Sequence, residues 1–360
     1  MKQFRSAVAA LLIFTLVAPP ARAWSNKEHI QLARLAAERL VASPDTPEGL
    51  KAFLRAAQPD LDKWNAEAER NFFLNKRIGV YPRDVDGLDF WATVPDSDAA
   101  SSTTKKIEPF GVVERNLHFI DLEYFMPDEK RRAYADDLSN KPKLTDFPKD
   151  MKSWQWERAG MLPFRVEQCY GEMVRCLRAG RLVDERGKFP ADDHATKWAG
   201  FLAHYAADNT QPQHATIDYQ SKSYFKNTRK APNVHADVEY VLLDDEHADY
   251  LEIRKQMWDE LTKALGDVKD PATTPDPWTS TLEVSLFSYD YLPLIGKAAI
   301  NAYGESGEKP FDGRAFASTR GNVHGQDLTI SQMKAQQLAL AVKRIEKLWL
   351  QAWQEAAENK

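Results

Sequence analysis

The sequence predicts an all-α fold for this chain of 360 residues. Apolar residues recur at the spacing of one helix face, as Leu32, Leu35, Ala36 and Leu40 do near the start. No stretch alternates apolar and polar residues convincingly, as a half-buried strand would. Hydrophobic residues make up 43% of the chain and charged residues 28%, which is enough for a packed core beneath a polar surface.

The individual elements follow from this periodicity and from its breaks. Helices are predicted over residues 24–42, 50–57, 65–76, 154–180, 193–208, 235–246, 250–265, 282–303 and 329–358. Pro163 is expected to bend one of these helices and Pro293 to kink another. Prolines, glycines and polar residues predict irregular structure over 43–48, 80–106, 128–149, 216–232, 267–277 and 309–322, and the state of residues 116–121 stays open.

The first 23 residues are typical of a secretory signal peptide. Lys2 and Arg5 precede an apolar run over residues 7–18, and Ala21-Arg22-Ala23 forms a small-residue cleavage site. The run is too short to span a bilayer, and no later segment is long and apolar enough, so no transmembrane anchor is expected. We therefore expect cleavage between Ala23 and Trp24, and a secreted or periplasmic protein.

The expected mature chain, residues 24–360, is interpreted as one domain. Residues 24–265 would form its metal-binding core, and residues 278–360 would form C-terminal helices packed on that core. Loss of the signal peptide removes three basic residues and no acidic one, so the net charge moves from −5 to −8. Such an acidic protein binds phosphate backbones poorly unless bound divalent cations change the local charge. No stable protein partner is indicated.

The two cysteines, Cys169 and Cys176, lie seven residues apart in a segment predicted to be helical. Seven helical residues separate their Cα atoms by about 10 Å, whereas a disulfide needs a separation below about 7 Å. We expect both cysteines to stay unpaired, unless Gly171 breaks the helix. Neither belongs to a CxxC pair, so a thiolate metal site is not expected.

Residues 198–214 carry the chain's strongest chemical signal. His204 and Asp208 lie four residues apart, which places an imidazole and a carboxylate on one helix face within reach of one metal ion. Pro212 should end the helix, so that His214 lies beyond a turn and approaches from another direction. This geometry suits two adjacent metal ions. The alternative is a buried helix with two incidental histidines.

Other residues could complete such a centre. His235 and Glu239 repeat the four-residue spacing, and signal cleavage would give Trp24 a free α-amine with a pKa near 8, which is a nitrogen ligand when deprotonated. His29 follows close by, although without the other motifs the favoured interpretation is that Trp24 is a core residue and His29 a polar surface residue. Two further ligands are less certain from spacing alone, because His118 lies in an apolar run and Asp96 competes with Asp84, Asp86, Asp89 and Asp98.

In this order, Trp24 after a signal site and the runs NLHFID, HYAADNTQPQHA and NVHADVE resemble the superfamily of zinc-dependent phospholipases C and single-strand-specific nucleases. The most specific part is HYxxDxxQPxH, which Gln211 and Pro212 also match. The resemblance runs from Trp24 to Glu239, about 60% of the chain. It implies an all-helical fold with three Zn²⁺ ions in a cleft.

The resemblance also implies a ligand set for each ion. The first ion would take Asp96, His118, His204 and Asp208, the second His214, His235 and Glu239, and the third the amine and carbonyl of Trp24 together with His29 and the shared Asp208. Imidazole and carboxylate ligands suit zinc. Paired zinc ions would activate water and stabilise the leaving oxygen of a phosphodiester. Asp96 would serve both as a ligand and as the catalytic proton acceptor.

Different residues of these motifs indicate different substrate classes. HFID resembles the nuclease branch, in which Phe119 would stack on a base and Asp121 would accept a hydrogen bond. Core packing for Phe119 and a helix cap for Asp121 are the alternatives. Against the nuclease, Ala99 stands where that branch has an arginine, and Glu239 resembles the phospholipase branch. Lys27, where an acid is expected, departs from the phospholipases' choline-binding pattern.

These signals favour a phospholipase C-like phosphodiester hydrolase. A single-strand-specific nuclease is the first alternative, and a non-catalytic zinc-binding exported protein is the second. The expected partner is a phospholipid or nucleic-acid substrate.

Overall fold

A computed structural model describes residues 24–75, 85–96, 115–126, 138, 141–150, 154–183, 193–229, 231–241 and 250–358. The expected signal peptide and cleavage site, most of the irregular segments 80–106 and 128–149, and the end of the helix predicted over 235–246 lie outside these residues.

The described residues form an all-α fold, as predicted. The first helices are α1 (Asn26–Ala42), α2 (Glu48–Ala57), α3 (Ala66–Leu74) and α4 (Gly87–Thr93). Next come α5 (Trp154–Ala159), α6 (Leu162–Arg178) and α7 (Ala195–Asp208). The last are α8 (Tyr250–Asp267), α9 (Pro277–Tyr289), α10 (Leu292–Tyr303), α11 (Gly313–Ser318) and α12 (Ile330–Glu358).

Short turns supply most of the remaining regular structure. A helical turn at Val234–Ala236 continues into a π-helical turn at Asp237–Val241. The 3₁₀ turns are Leu61–Lys63, Val94–Asp96, Arg115–Leu117, Leu122–Phe125, Leu144–Asp146, Pro212–Ala215 and Lys222–Tyr224.

Two segments predicted to be irregular contain regular structure. Helix α4 lies within 80–106, and α11 lies within 309–322. An antiparallel hairpin of β1 (Arg320–Val323) and β2 (Gln326–Thr329) starts near the end of the segment 309–322. Strands of four residues are too short to give a clear alternating pattern, so the expectation of no strand was wrong here.

The helix predicted over 154–180 is broken at Gly160 rather than bent at Pro163. Gly160 has φ of +102°, and a Cβ atom there would lie 2.2 Å from the carbonyl oxygen of Phe119. Pro163 lies in the first turn of α6, where its missing N–H costs no helical hydrogen bond. The segment predicted as one helix over 282–303 starts earlier, at Pro277, and forms the two helices α9 and α10. Pro293 likewise lies in a first turn, that of α10.

Residues 116–121, whose state the sequence left open, run alongside this break. Met161 N donates to Asn116 O at 2.7 Å, and Asp121 N donates to Ala159 O at 2.6 Å. On the other side, Ile120 N donates to His214 O at 2.9 Å. The segment is thereby fixed between the α5–α6 junction and the turn after α7, which brings His118 beside His214.

Helix α12 packs against α1, α6, α7 and α8 in the largest hydrophobic core. Trp349 of α12 is fully buried, and its indole Nε1 donates to Ala199 O of α7 at 3.0 Å. Cys169 and Cys176 are both buried, and neither forms a disulfide, as their spacing predicted. Within the described part of the chain, no helix has the length and apolar character needed to cross a lipid bilayer.

Candidate metal centre

Helix α1 begins with a capping box that fixes the position of Trp24. Ser25 Oγ accepts from Glu28 N at 3.3 Å, and Ser25 N donates to Glu28 Oε2 at 2.9 Å. Trp24 is fully buried, and its indole Nε1 donates to Ala207 O at 2.9 Å. That carbonyl belongs to the last turn of α7, where helical partners run out. The start of α1 is thereby held against the end of α7.

The first cluster forms where α7 meets the segment that carries His118. His118 Nδ1 lies 2.9 Å from Asp208 Oδ2 and 3.2 Å from His204 Nε2. His204 Nε2 lies 3.3 Å from Asp208 Oδ2. All three residues are buried, and their ligand atoms lie within 4.8 Å of one another. This group can hold a metal ion.

Asp96 and His29 extend this cluster on its far side. Asp96 ends the 3₁₀ turn after α4, and its carboxylate oxygens lie 3.7 Å from His29 Nε2, 3.7 Å from His204 Nε2 and 3.8 Å from His118 Nδ1. His29 Nε2 also lies 3.5 Å from Asp208 Oδ1. Each carboxylate therefore has His29 on one side and another histidine on the other, which is the arrangement that a bridging carboxylate requires.

The structure describes two of the four aspartates that compete with Asp96 as metal ligands, Asp86 and Asp89. Asp89 is fully buried but forms an ion pair with Arg34, so it is directed away from the histidines. Asp86 precedes α4 at its N-cap position. Asp84 and Asp98 lie outside the described residues.

The second cluster consists of His214, His235 and Glu239. His235 Nε2 contacts Glu239 Oε1 closely, and His214 Nε2 lies 3.5 Å from the same oxygen. His214 comes from the 3₁₀ turn after α7, whereas the other two come from residues 234–241. All three residues are buried, with ligand atoms within 4.8 Å of one another.

Backbone carbonyls orient two of the histidines. His204 Nδ1 donates to Ala92 O at 2.7 Å, and His214 Nδ1 donates to His118 O at 2.7 Å. A carbonyl only accepts, so each Nδ1 carries the proton and each Nε2 faces its cluster as a potential ligand. In addition, Gln211 Nε2 donates to Glu239 Oε1 at 3.3 Å. Gln211 therefore supports the second cluster.

Burial sets the charge state of the centre. It lowers the pKa of His29 well below its usual value, that of His118 to about 4 and that of His235 to about 3. Burial also raises the pKa of Asp208 to about 6 and that of Glu239 well above its usual value. The imidazoles of His29, His118 and His235 are thus neutral at pH 7, as metal binding requires.

The donor set fits zinc. Imidazole nitrogens and carboxylate oxygens are common zinc ligands, and these lie together in buried groups of three. Asp208 Oδ1 is buried and makes no hydrogen bond within the described residues. A buried carboxylate oxygen without a donor is costly, and a cation would compensate for it.

A cavity of about 320 Å³ opens onto both clusters. Its wall includes Asn116, His118, Phe119, Asp121, His214 and His235. Ile217 and Tyr219 also line it, although the sequence assigned both only to a polar loop. The Tyr219 and His235 rings meet edge to face with centroids 5.5 Å apart, and the only sequence signal for this contact was proximity to His214.

Phe119 and Asp121 both face this cavity. Asp121 stands at the N-cap position of the 3₁₀ turn that follows it, but its side chain makes no capping hydrogen bond. Burial, followed by repulsion from Glu123, raises the Asp121 pKa well above its usual value. Phe119 is partly buried, which leaves part of its ring for a ligand.

His194 and His324, the other two described histidines, lie outside the clusters. His194 is 1% exposed and caps α7 by accepting from Lys197 N at 3.3 Å. His324 is exposed in the hairpin turn. His247 lies outside the described residues.

The chain matches no protein-family model, and no curated protein matches it. Among solved structures it is similar to Clostridium perfringens alpha-toxin from avian strain SWCP, with a TM-score of 0.39 and 13% sequence identity. The match covers 95% of this chain and 66% of the alpha-toxin chain, so this chain spans slightly less than two thirds of its length. At this TM-score the likeness carries no argument about function.

Proposed function

We propose that the protein is an exported zinc-dependent phosphodiester hydrolase of the phospholipase C-like kind, within the superfamily that its motifs resemble. One observation carries this proposal: two buried groups of histidines and carboxylates lie side by side and open onto one cavity. The backbone joins them, since His214 Nδ1 donates to the carbonyl of His118. The proposal includes removal of residues 1–23 and a secreted or periplasmic location.

The ligands would be shared among three zinc ions. Asp96, His118, His204 and Asp208 would hold the first, His214, His235 and Glu239 the second, and Trp24, His29 and Asp208 the third. Support for the third set comes from His29, whose Nε2 lies 3.5 Å from Asp208 Oδ1 and which lies in the first turn of α1, directly after the turn that begins at Trp24. Residues 24–265 would hold the ions, and residues 278–360 would support them from outside.

Zinc held in this way would supply Lewis acidity and a water whose pKa is near neutral. Asp96 would accept the proton released as water attacks phosphorus, since its side chain is 4% exposed and borders His29, His118 and His204. Phe119 and Ile217 would give the substrate an apolar wall. Asp121, whose pKa is raised by burial, would give this wall a polar group.

A specific observation also favours a single-strand-specific nuclease as the second candidate. Asn116, Phe119 and Asp121 line the cavity directly beside His118. An aromatic ring next to polar side chains can stack on a base and bond to its edge. A non-catalytic zinc protein is less favoured, because a cavity that reaches His118, His214 and His235 leaves room for a ligand.

The test uses protein that begins at Trp24 and is loaded with zinc. It is incubated with phosphatidylcholine micelles and, separately, with single-stranded DNA and RNA. Diacylglycerol release supports the phospholipase, and release of 5′-nucleotides supports the nuclease. If a zinc-loaded protein attacks none of these, the non-catalytic alternative is favoured. Loss of the activity in His204→Ala, and its retention in His324→Asn, assigns the activity to this centre.

A further inference from the structure

Lys334 lies in α12, in the part of the chain that carries none of the sequence motifs. Its side chain is fully buried. Its Nζ donates to Val238 O and to Glu239 O, both at 2.6 Å, and lies 2.7 Å from Glu28 Oε1. An ammonium group has three N–H donors. Two of them therefore bond to carbonyl oxygens, and the charge is paired with the Glu28 carboxylate, as a buried charge requires.

Two of these acceptors belong to the turn that carries Glu239. Val238 and Glu239 lie in the π-helical turn Asp237–Val241. A π-helical turn shifts carbonyls out of the regular α-helical hydrogen-bonding pattern, and buried carbonyls then need donors from elsewhere. Lys334 supplies such donors from a different helix. It thereby fixes the position of the turn that carries Glu239. The Glu239 side chain lies beside those of His214 and His235.

The carboxylate that pairs with Lys334 belongs to the start of the described chain. Glu28 closes the capping box with Ser25 N, directly after Trp24. Lys334 Nζ also lies 5.2 Å from the centre of the Trp24 ring. One ammonium group therefore contacts both the turn before His29 and the turn that carries Glu239, two parts of the ligand set that are some 200 residues apart in sequence.

We infer that Lys334 is a positioning residue of the metal centre, through which α12 fixes the Glu239 turn relative to the turn that carries Trp24 and His29. This inference rests on the metal-binding part of the proposed function. Residues that hold metal ligands in place typically change metal affinity about 10- to 100-fold when they are replaced. The same range is expected for loss of the Lys334 contacts.

The experiment compares zinc retention in four proteins that begin at Trp24: wild type, Lys334→Met, the double variant Glu28→Gln/Lys334→Met, and Lys347→Met. The double variant leaves no unpaired carboxylate, and Gln can replace Glu in a capping box. Lys347 is the matched control, because it lies on the same helix and contacts Asp270 Oδ2 at 3.0 Å and Ala272 O at 3.2 Å, neither of which is in the metal clusters. Zinc is titrated against a chromogenic chelator, and folding is checked by circular dichroism and a thermal melt.

We expect both Lys334 variants to bind zinc about 10- to 100-fold more weakly than wild type, while Lys347→Met binds as wild type does. A folded double variant with wild-type zinc affinity would overturn the inference. Failure of both Lys334 variants to fold would also overturn it, because the contacts would then serve the fold itself. If wild-type protein binds zinc but hydrolyses no substrate, the proposed activity fails and the inference about Lys334 stands. If wild-type protein binds no zinc, both proposals fail.

Discussion

The carbonyl oxygen of Ala92 accepts a hydrogen bond from His204 Nδ1 at 2.7 Å. Ala92 lies in α4, within a segment whose sequence predicts no regular structure. This bond places the proton of His204 on Nδ1 and turns Nε2 toward His118 and Asp208. The orientation of a central histidine therefore depends on a backbone group that no side-chain motif reveals.

Replacing His204 with Ala should abolish hydrolysis. The variant loses a side chain that contacts both His118 and Asp208, so activity should fall by more than the roughly 100-fold that outer contacts of a metal site typically contribute. Zinc content and initial rate are measured on the same preparation. His324→Asn is the control, because His324 is exposed at φ of +51°, which Asn tolerates. Equal rates in the His204→Ala and His324→Asn variants would contradict the assignment.

Replacing Asp208 with Asn should stabilise the metal-free protein at pH 7.5 while weakening zinc binding. Burial raises the Asp208 pKa from 3.8 to about 6 in the fold. Its contribution to stability is therefore fully present below pH 3.8 and is lost as the pH rises through about 6. A shift of two units corresponds to roughly 3 kcal/mol. This shift already includes the opposing effect of the hydrogen bond from His118, so the expected gain is at most roughly 3 kcal/mol.

Urea unfolding in EDTA measures this effect at pH 7.5 and again at pH 4. At pH 4 the folded wild type already carries a protonated Asp208, so the advantage of Asp208→Asn should disappear. An advantage of the same size at both pH values would mean that titration of Asp208 is not its source.

Zinc stoichiometry should depend on where the chain begins. In protein that starts at Trp24, the α-amine can act as a ligand once it is deprotonated. With Ala23 still attached, the same nitrogen is an amide and cannot do so. We expect one zinc ion fewer in the Ala23-extended protein, measured by elemental analysis of dialysed samples at pH 8. Equal stoichiometry would remove Trp24 from the ligand set.

The sequence indicated many of the histidines and carboxylates that the structure brings together, because their spacing is local to short motifs. The four-residue spacing of His204 and Asp208 on a helix is one example, and that of His235 and Glu239 is another, although the second pair lies on a π-helical turn rather than a regular helix. Asp96 lay among several aspartates, and only the tertiary contacts separate it from Asp89, which pairs with Arg34 instead.

Long-range packing could not be predicted in this way. Gly160 breaks a helix because the backbone of Phe119 approaches it, a contact between residues some 40 positions apart. Lys334 is one lysine among many in the sequence, and nothing in its neighbours indicates that it reaches Val238 and Glu239. Such contacts depend on how α12 packs, and hydrophobic periodicity predicts a helix without predicting its neighbours.

The two thiols should be inaccessible in the native protein. Cys169 and Cys176 are both fully buried, and burial raises the Cys176 pKa to about 12. A thiol needs exposure and its thiolate form to react. We expect no reaction with Ellman's reagent before unfolding and two thiols per chain in guanidinium chloride. Fewer than two thiols after unfolding without reductant would indicate a disulfide.

Replacing Phe119 with Leu should separate the two substrate classes. Leu keeps an apolar wall beside His118 but removes the aromatic face. Stacking of one base on an aromatic side chain contributes roughly 1–3 kcal/mol, or about 5- to 150-fold in binding. Cleavage of single-stranded DNA should therefore fall within that range if Phe119 holds a base. Phosphatidylcholine hydrolysis should change by less than about threefold, because an apolar contact of similar size remains. Phe119→Tyr, which keeps the aromatic ring, is the matched control. If DNA cleavage fell equally in the Leu and Tyr variants, the loss would come from altered packing rather than from lost base stacking.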